Sequence, residues 1–150
     1  MITSVYLSNN IIQIVQGEKS TKLPAISRVI NEEIPEGSLL NGIITNEQEL
    51  YEQLKEIWQR HKLPLKGVEV VLNSAKISSK NITAPTAKAK QIMKTLPLDF
   101  ADVSQNEAVI YDYARLGKSG QKGLYELLAV MVEEAQINSF VDVFSKMGIE

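Results

Sequence analysis

A glycine-rich segment at residues 117–123 is the first place in the sequence where phosphate chemistry could occur. Lys118 and Ser119 stand there as the last two residues of a G-x-x-x-x-G-K-[ST] phosphate loop would. That motif also requires a glycine where Asp112 stands, and a phosphate loop opens a helix so that its N–H groups face the anion. Because residues 124–132 have the composition of a strand, residues 117–123 are predicted to join two strands as a hairpin.

Residues for acid–base, nucleophilic or metal chemistry are sparse. The chain has no cysteine, and His61 is its only histidine, so thiolate sites and His-rich metal sites are excluded. His61 is interpreted as a partner of a helix C-terminus or as an exposed residue. Two pairs of adjacent carboxylates, Glu32 with Glu33 and Glu133 with Glu134, are interpreted as solvated surface. The sequence predicts no catalytic residue, no metal site and no cofactor.

Two small groups of residues could instead bind a partner. Lys88, Lys90 and Lys94 form the basic side of a predicted helix, which is either a solvated face or a docking face for an acidic partner. Tyr111 and Tyr113 share one face of a predicted strand, because side chains alternate along a strand. They form either a binding surface or an ordinary half-buried aromatic pair.

Hydrophobic periodicity predicts the elements of the first part of the chain. Residues 4–15 form a β-hairpin, and residues 25–34 form a further extended segment. A helix begins at Thr45, whose hydroxyl caps it while Gln48 reaches back, and it ends near His61. Trp58 lies on the apolar face of this helix and is predicted to be buried.

The composition changes after Lys66 and Gly67, where a boundary between structural units is predicted. The first element after it is a strand at 68–72, with a continuation through Ile77 and Ile82 to Pro85. A helix from Thr86 to Pro97 follows, with Ala89, Ile92, Met93 and Leu96 on one side, and then strands at 107–116 and 124–132. A last helix begins at about Glu133 and stops at Gly148, and its predicted buried residues are Ile137, Phe140, Val141, Phe144 and Met147.

Composition limits the possible partners. The chain has 150 residues, of which 16 are basic and 18 acidic, and the formal charge of −2 gives no broad attraction to nucleic acid or anionic lipid. No apolar run approaches the roughly 20 residues that cross a bilayer, and the start lacks a signal-peptide pattern. We therefore expect a cytoplasmic protein that reaches a membrane only through a partner.

Several segments together resemble the start of the PilM family of type IV pilus assembly, actin-like proteins related to the division protein FtsA. The resemblance rests on the opening hairpin, on residues 35–37 with 40–44, on the strand at 67–74, on the strands at 108–113 and 127–131, and on the helix at 137–148. It covers nearly the whole chain.

The resemblance implies an α+β fold, with a partial actin-like (ribonuclease H-like) subdomain at residues 1–66 and an inserted small domain with its following helix at 67–150. It further implies a cytoplasmic scaffold of pilus assembly that binds the N-terminal segment of a PilN-like inner-membrane protein. The residues that we expect to contact this partner are Lys66, Gly67, Lys88, Lys90, Tyr111 and Tyr113.

One departure from the family bears on enzymatic activity. ATP-binding members carry a D-x-G-S type phosphate motif in the first hairpin, and this chain has Tyr6, Leu7, Ser8 and Asn9 there. We therefore expect no ATPase activity. An actin-like ATPase fragment and the related cytoplasmic scaffold of type II secretion are the alternative interpretations.

The last expectation concerns the first sheet. Residues 1–66 contain fewer strands than an actin-like subdomain needs, so we expect a truncated domain with an unpaired sheet edge beside a compact unit at 68–147. Such an edge favours homo-oligomerisation by strand pairing.

Overall fold

The computed structural model describes residues 1–18, 20, 23–103, 107–121 and 123–149. The chain divides into two compact units, unit 1 with Met1–Ala75 and Asn138–Glu150, and unit 2 with Lys76–Ile137. In chain order the elements are β1 (Ile2–Leu7), β2 (Ile11–Glu18), β3 (Ala25–Glu33), β4 (Leu39–Leu40), β5 (Ile43–Ile44), α1 (Glu47–His61), β6 (Val68–Leu72), β7 (Ser78–Ala84), α2 (Ala89–Asp99), β8 (Val109–Lys118), β9 (Tyr125–Glu133) and α3 (Glu134–Lys146).

Unit 1 is built on a four-stranded sheet with the order β3-β2-β1-β6. β1 and β2 are antiparallel and form the predicted hairpin, in which the Ser8 N–H donates to the Ile11 carbonyl at 3.0 Å. β3 pairs antiparallel with β2, as expected for the extended segment. β6 runs parallel to β1, with Val70 beside Val5.

One face of this sheet forms the core of unit 1, because alternate residues of β1 and β2 are apolar. α1 packs on that face, as do the α3 residues that belong to unit 1. The Trp58 and Phe144 rings meet edge to face with their centroids 6.0 Å apart. Each such large side chain contributes roughly 1.5–3 kcal/mol by leaving water. The fully or nearly buried members include Val5, Leu7, Ile12, Ile14, Leu50, Leu54, Ile57, Trp58, Phe140, Val143 and Phe144.

The N-terminus of α1 differs from the prediction by one residue. Asn46 is the N-cap: its Oδ1 accepts from the Glu49 N–H at 3.2 Å, and its Nδ2 donates to Glu49 Oε2 at 3.0 Å. Thr45 was predicted to cap the helix, but its hydroxyl donates to the Gly37 carbonyl instead. The predicted end of the helix, near His61, is confirmed.

Unit 2 is a three-stranded antiparallel sheet, ordered β7-β9-β8, with α2 packed on one face. The predicted hairpin of the last two strands is confirmed as β8 and β9. The core residues alternate along β9 and follow one side of α2, as a two-layer arrangement requires. They are Ala84, Ile92, Leu96, Phe100, Leu127, Ala129 and Met131.

α2 begins later than predicted. Its first residue is Ala89, and Lys88 occupies the N-cap position without a capping side chain. Thr86 was predicted as the cap, but its Oγ1 accepts from the Lys88 N–H at 3.1 Å and so organises the turn before the helix.

α2 also continues past the proline that was predicted to end it. Pro97 lies in the last turn, and the helix ends at Asp99. Proline removes one N–H donor from that turn. The turn is held by the fully buried Phe100, whose N–H donates to the Leu96 carbonyl at 3.2 Å. Met93 was predicted on the buried side but is 40% exposed.

The predicted division at residues 66 and 67 needs correction. Residues 68–72 form β6 in the sheet of unit 1, and the residues from Asn138 onward also belong to unit 1. Unit 2 therefore spans Lys76–Ile137 rather than 67–150. The pairing of β6 with β1 joins residues about 65 positions apart, and local periodicity carries no signal for such a pairing.

The last helix is confirmed as Glu134–Lys146, and Gly148 follows it with a φ of 77°, as a C-terminal stop residue does. Its buried face differs from the predicted one at Val141 and Val143. Val141 was predicted to be buried and is 52% exposed, whereas Val143 is fully buried.

Candidate functional site

A cleft of about 570 Å³ lies in unit 1 where the parallel strands β1 and β6 end. In open α/β sheets, ligands bind beyond the carboxyl ends of parallel strands. The turn between β1 and β2 forms one wall, and the segment after β6 forms another. The lining residues are Tyr6, Ser8, Asn9, Asn10, Ile11, Asn41, Gly42, Asn73, Ser74 and Ala75.

Amide side chains hold the mouth of this cleft together. The Asn41 N–H donates to Asn9 Oδ1 at 2.7 Å, and Asn9 Nδ2 donates to Asn41 Oδ1 at 3.4 Å. Asn41 and Gly42 both have a positive φ, of 50° and 75°. Gly42 is required here, because a Cβ would lie 2.3 Å from the Asn73 carbonyl oxygen.

The cleft has the position of a phosphate site but a different chemistry. The residues that line it include no carboxylate, lysine, arginine or histidine. A carboxylate would be needed to organise the water around Mg²⁺. In the first hairpin, Leu7 is buried in the core, and Tyr6, Ser8 and Asn9 line the cleft. These residues can donate and accept hydrogen bonds to a neutral polar ligand, but they supply no formal charge.

The glycine-rich connector at residues 117–123 lies between β8 and β9, so its interpretation as a hairpin is confirmed. The Ser119 N–H donates to the Leu124 carbonyl at 2.9 Å, and no helix follows. Lys122 lies outside the described residues.

Of the predicted partner-binding residues, Lys66 and Gly67 are in unit 1, immediately before β6. Both are exposed. Gly67 has a φ of 68°, and its carbonyl accepts from the Thr3 N–H at 3.0 Å, so it starts the pairing of β6 with β1. Its position thus has a structural role that the sequence did not indicate.

Lys88 and Lys90 are in unit 2 and are exposed at the start of α2. Neither ammonium group forms an ion pair within the described part of the chain. The first turn of α2 contains no acidic residue. Positive charge at a helix N-terminus is unfavourable by some 0.3–1 kcal/mol per group, because the helix dipole is positive there. This end of unit 2 therefore carries uncompensated positive charge, and Arg115 adds to it by donating to the Ala87 carbonyl.

Tyr111 and Tyr113 share one face of β8 and are half-buried against the core of unit 2. The Tyr111 ring packs on Phe100 with the centroids 5.9 Å apart. Both tyrosine rings therefore pack against the core of unit 2.

A charged cluster that was not predicted joins β3 to the end of α1. The Glu32 carboxylate is 3.0 Å from Arg60 Nη1 and 2.5 Å from His61 Nε2. Arg28 Nη2 lies 3.0 Å from His61 Nδ1. A guanidinium can only donate, so Nδ1 accepts and Nε2 donates to Glu32.

This cluster changes the interpretation of two residues. The hydrogen bond from His61, together with the charge of Arg60, lowers the pKa of Glu32. The Glu32 side chain is 18% exposed, so its interpretation as solvated surface is wrong. His61 is a bonded member of the cluster rather than a free residue. Its link to Glu32 joins residues 29 positions apart, so no local pattern indicates it.

The described residues contain no group of three His, Cys, Asp or Glu side chains that could hold a metal ion. None of the helices within the described ranges combines the length and apolar character that a bilayer crossing requires.

Comparison with known proteins places the fold. No protein-family model matches the chain, and no curated protein matches its sequence. Among solved structures, a chain of a "PilM-PilN type IV pilus biogenesis complex" matches 99% of this chain with a TM-score of 0.81 at 15% identity. The cytoplasmic domain of EpsL, an inner membrane component of the type II secretion system of Vibrio cholerae, matches 99% with a TM-score of 0.56 at 15% identity.

The chain spans about half the length of the solved structures that it matches. The chain spans 45% of the first of these proteins and 53% of the second. The α+β fold that the PilM resemblance implied is confirmed, since the first of these matches covers 99% of the chain with a TM-score of 0.81. The chain thus has the fold of a partial actin-like domain of the PilM type.

Proposed function

We propose that this chain is a cytoplasmic scaffold component of type IV pilus assembly that binds the N-terminal segment of a PilN-like inner-membrane protein. The observation that carries the proposal is the agreement of fold with the PilM chain, which includes both units. The protein would reach the membrane through this partner.

The charged surface of unit 2 supports a binding role. Lys88 and Lys90 are exposed on a helix whose first turn lacks any carboxylate, and they form no ion pair in the part of the chain that is described. Exposed charge at an interface steers association and sets specificity. Lys88 and Lys90 are therefore available to a partner segment, whereas Tyr111 is engaged with Phe100.

We also propose that the chain has no ATPase activity. The cleft residues of the first hairpin and of the segment after β6 are neutral, so nothing among them replaces the missing aspartate. Measurement of phosphate release from ATP with Mg²⁺ tests this proposal, and titration of a fluorescent ATP analogue tests the binding on which hydrolysis would depend. Phosphate release above the background of a buffer control would overturn the proposal.

Calorimetric titration with a synthetic PilN-like N-terminal segment tests the scaffold proposal. Lys88→Ala and Lys90→Ala should each weaken binding roughly fivefold, equivalent to about 1 kcal/mol, if these charges lie at the interface. Lys55→Ala on α1 removes the same charge from an exposed site in unit 1 and should leave the affinity unchanged.

Two results would count against the scaffold proposal. The first is the absence of heat with the wild-type chain at high concentrations of both components. The second is an equal loss of affinity in Lys88→Ala, Lys90→Ala and Lys55→Ala, since that would indicate a nonspecific charge effect. Affinity should also fall with added salt, because exposed charges are screened.

The second candidate is the cytoplasmic scaffold of type II secretion, which the EpsL match favours. Its lower TM-score makes it the weaker candidate. Competition between segments from the two systems separates the two functions. A type II secretion segment that displaces the PilN-like segment would favour the second candidate.

A further inference from the structure

The imidazole of His61 holds two side chains of β3 through its two ring nitrogens. Glu32 Oε1 lies 2.5 Å from Nε2, and Arg28 Nη2 lies 3.0 Å from Nδ1. Arg28 Nη1 also donates to the His61 carbonyl at 3.0 Å, which satisfies a backbone oxygen in the last turn of α1. Arg28 and Glu32 flank the buried Ile30 on one side of β3, since side chains alternate along a strand. One imidazole therefore fastens β3 to the end of α1 at two points.

This pair of ring contacts requires a neutral imidazole. A guanidinium has no acceptor, so Nδ1 must offer its lone pair to Arg28, and the single ring proton lies on Nε2, towards Glu32. A second proton on Nδ1 would set one N–H against another and a positive ring against a positive guanidinium, with the nitrogens 3.0 Å apart. The contact with Arg28 cannot form in that state, whereas the contact with Glu32 becomes charge-assisted and stronger.

The charged side chains around the ring leave no room for an additional positive charge. In the part of the chain that the structure describes, they come from β3, from α1 and from the residue after α1. They are Arg28, Glu32, Glu56, Arg60 and Lys62. Three of them are positive and two are negative, and Arg60 already contacts both carboxylates. A proton on His61 therefore adds to an existing excess of positive charge.

Arg28 is the member of this group that can leave. Its side chain is exposed, and within the described ranges its guanidinium has contacts only with His61. Arg60 differs, because Glu32 and Glu56 both hold it. Departure of the Arg28 guanidinium also leaves the core residue Ile30 in place.

We propose that His61 is a proton-operated latch between β3 and the end of α1. With the neutral ring, Arg28 and Glu32 are both fastened to it. Protonation at Nδ1 releases the Arg28 guanidinium into solvent, removes its bond to the His61 carbonyl and strengthens the bond between the ring and Glu32.

Glu32 stays ionised over the range in which the latch operates. Histidine side chains ordinarily gain their charge between about pH 8 and pH 5. The hydrogen bond from His61, together with the charge of Arg60, lowers the pKa of Glu32 below its ordinary value of 4.5. Within this range the change in the contacts of Arg28 therefore follows the charge of His61 and not that of Glu32.

A double-mutant cycle of Arg28→Ala and His61→Ala tests the latch by urea unfolding, followed through the fluorescence of Trp58. The cycle isolates the ring contact, since the backbone carbonyl at position 61 is present in all four proteins. At pH 8 the coupling should stabilise the fold about threefold in the unfolding equilibrium constant, and at pH 5.5 it should vanish or reverse. The control cycle is Arg60→Ala with Glu56→Ala, a pair that contains no histidine, and its coupling should be the same at both pH values.

Nuclear magnetic resonance detects the same event at the ring, because His61 is the only histidine in the chain. At pH 8 the ring nitrogen shifts should show a proton on Nε2 and none on Nδ1. As the pH falls, the Arg28 Nε–H signal should change with the same midpoint as the ring. A proton on Nδ1 at pH 8 overturns the proposal. So does a coupling between Arg28 and His61 that is equal at both pH values, or an Arg28 signal that does not follow the ring.

Discussion

Replacing Gly42 by alanine tests whether the cleft of unit 1 depends on a close backbone approach. Gly37 and Gly42 both have a positive φ, of 84° and 75°. A Cβ on Gly37 would meet nothing within 4 Å, whereas on Gly42 it would lie 2.3 Å from the Asn73 carbonyl oxygen and 2.6 Å from Ser74 Cβ. Gly37→Ala should therefore cost only the left-handed conformation, about 1–2 kcal/mol. It serves as the control.

Gly42→Ala should cost more, because the segment after β6 must move. That movement disrupts the hydrogen bond from the Ala75 N–H to the Asn41 carbonyl, which is 3.3 Å long. A lost hydrogen bond of about 1 kcal/mol and overpacking strain of about 1–3 kcal/mol add to the conformational cost, so the total is roughly 3–6 kcal/mol.

Urea unfolding followed by tryptophan fluorescence measures this difference in the stability of unit 1. Trp58 is the only tryptophan, is 5% exposed and belongs to the core of unit 1. The urea concentration at the unfolding midpoint should fall further for Gly42→Ala than for Gly37→Ala, while the dependence of the unfolding free energy on urea concentration stays unchanged. Equal free energies of unfolding for the two variants, within about 0.5 kcal/mol, would refute the proposed close approach.

Three further predictions concern unit 1 and use the same fluorescence signal. Asn46→Ala should cost about 1 kcal/mol through loss of the cap, and Asn46→Asp should cost much less, since aspartate also caps helices. Phe144→Ala should cost about 3–5 kcal/mol, and Val141→Ala, at an exposed position of the same helix, close to zero; equal losses would contradict the assigned buried face. The pKa of Glu32 in the folded chain lies below its ordinary value of 4.5, so ionised Glu32 stabilises the fold above that pH, and this stabilisation is lost as the pH falls through the folded pKa. Glu32→Gln should therefore reduce the loss of unfolding free energy at acid pH. An unchanged dependence on acid pH would contradict the role of the cluster.

The local elements of the fold could be read from the sequence. Alternation in β1 and β2 and the apolar stripe of α1 predicted these elements because each buries one face. The end of α3 just before Gly148 followed from the preference of glycine for positive φ.

Pairings between distant segments could not be read in this way. The assignment of β6 to the first sheet depends on its parallel register with β1, and a short apolar run fits either unit equally well. The placement of Val141 was wrong because Val141 and Val143 flank the buried residues Phe140 and Phe144 on opposite sides of the helix, and the partner surface decides which flank is buried.

The candidate site was predictable only in part. The missing charge in the first hairpin was visible from Tyr6 and Ser8, but the closure of the cleft by Asn9 and Asn41 joins residues 32 positions apart. The basic start of α2 was visible in the spacing of Lys88 and Lys90. Its lack of counter-charge required the structure.

The proposed partner binding is tested most directly by a nuclear magnetic resonance titration of the chain with a PilN-like N-terminal segment. The account predicts saturable shift changes that include the amides of Lys88 and Lys90, with Lys66, Gly67 and Tyr113 as the further candidates, while Lys55 remains unshifted. The absence of shift changes at millimolar segment, or changes confined to residues outside this set, would contradict it.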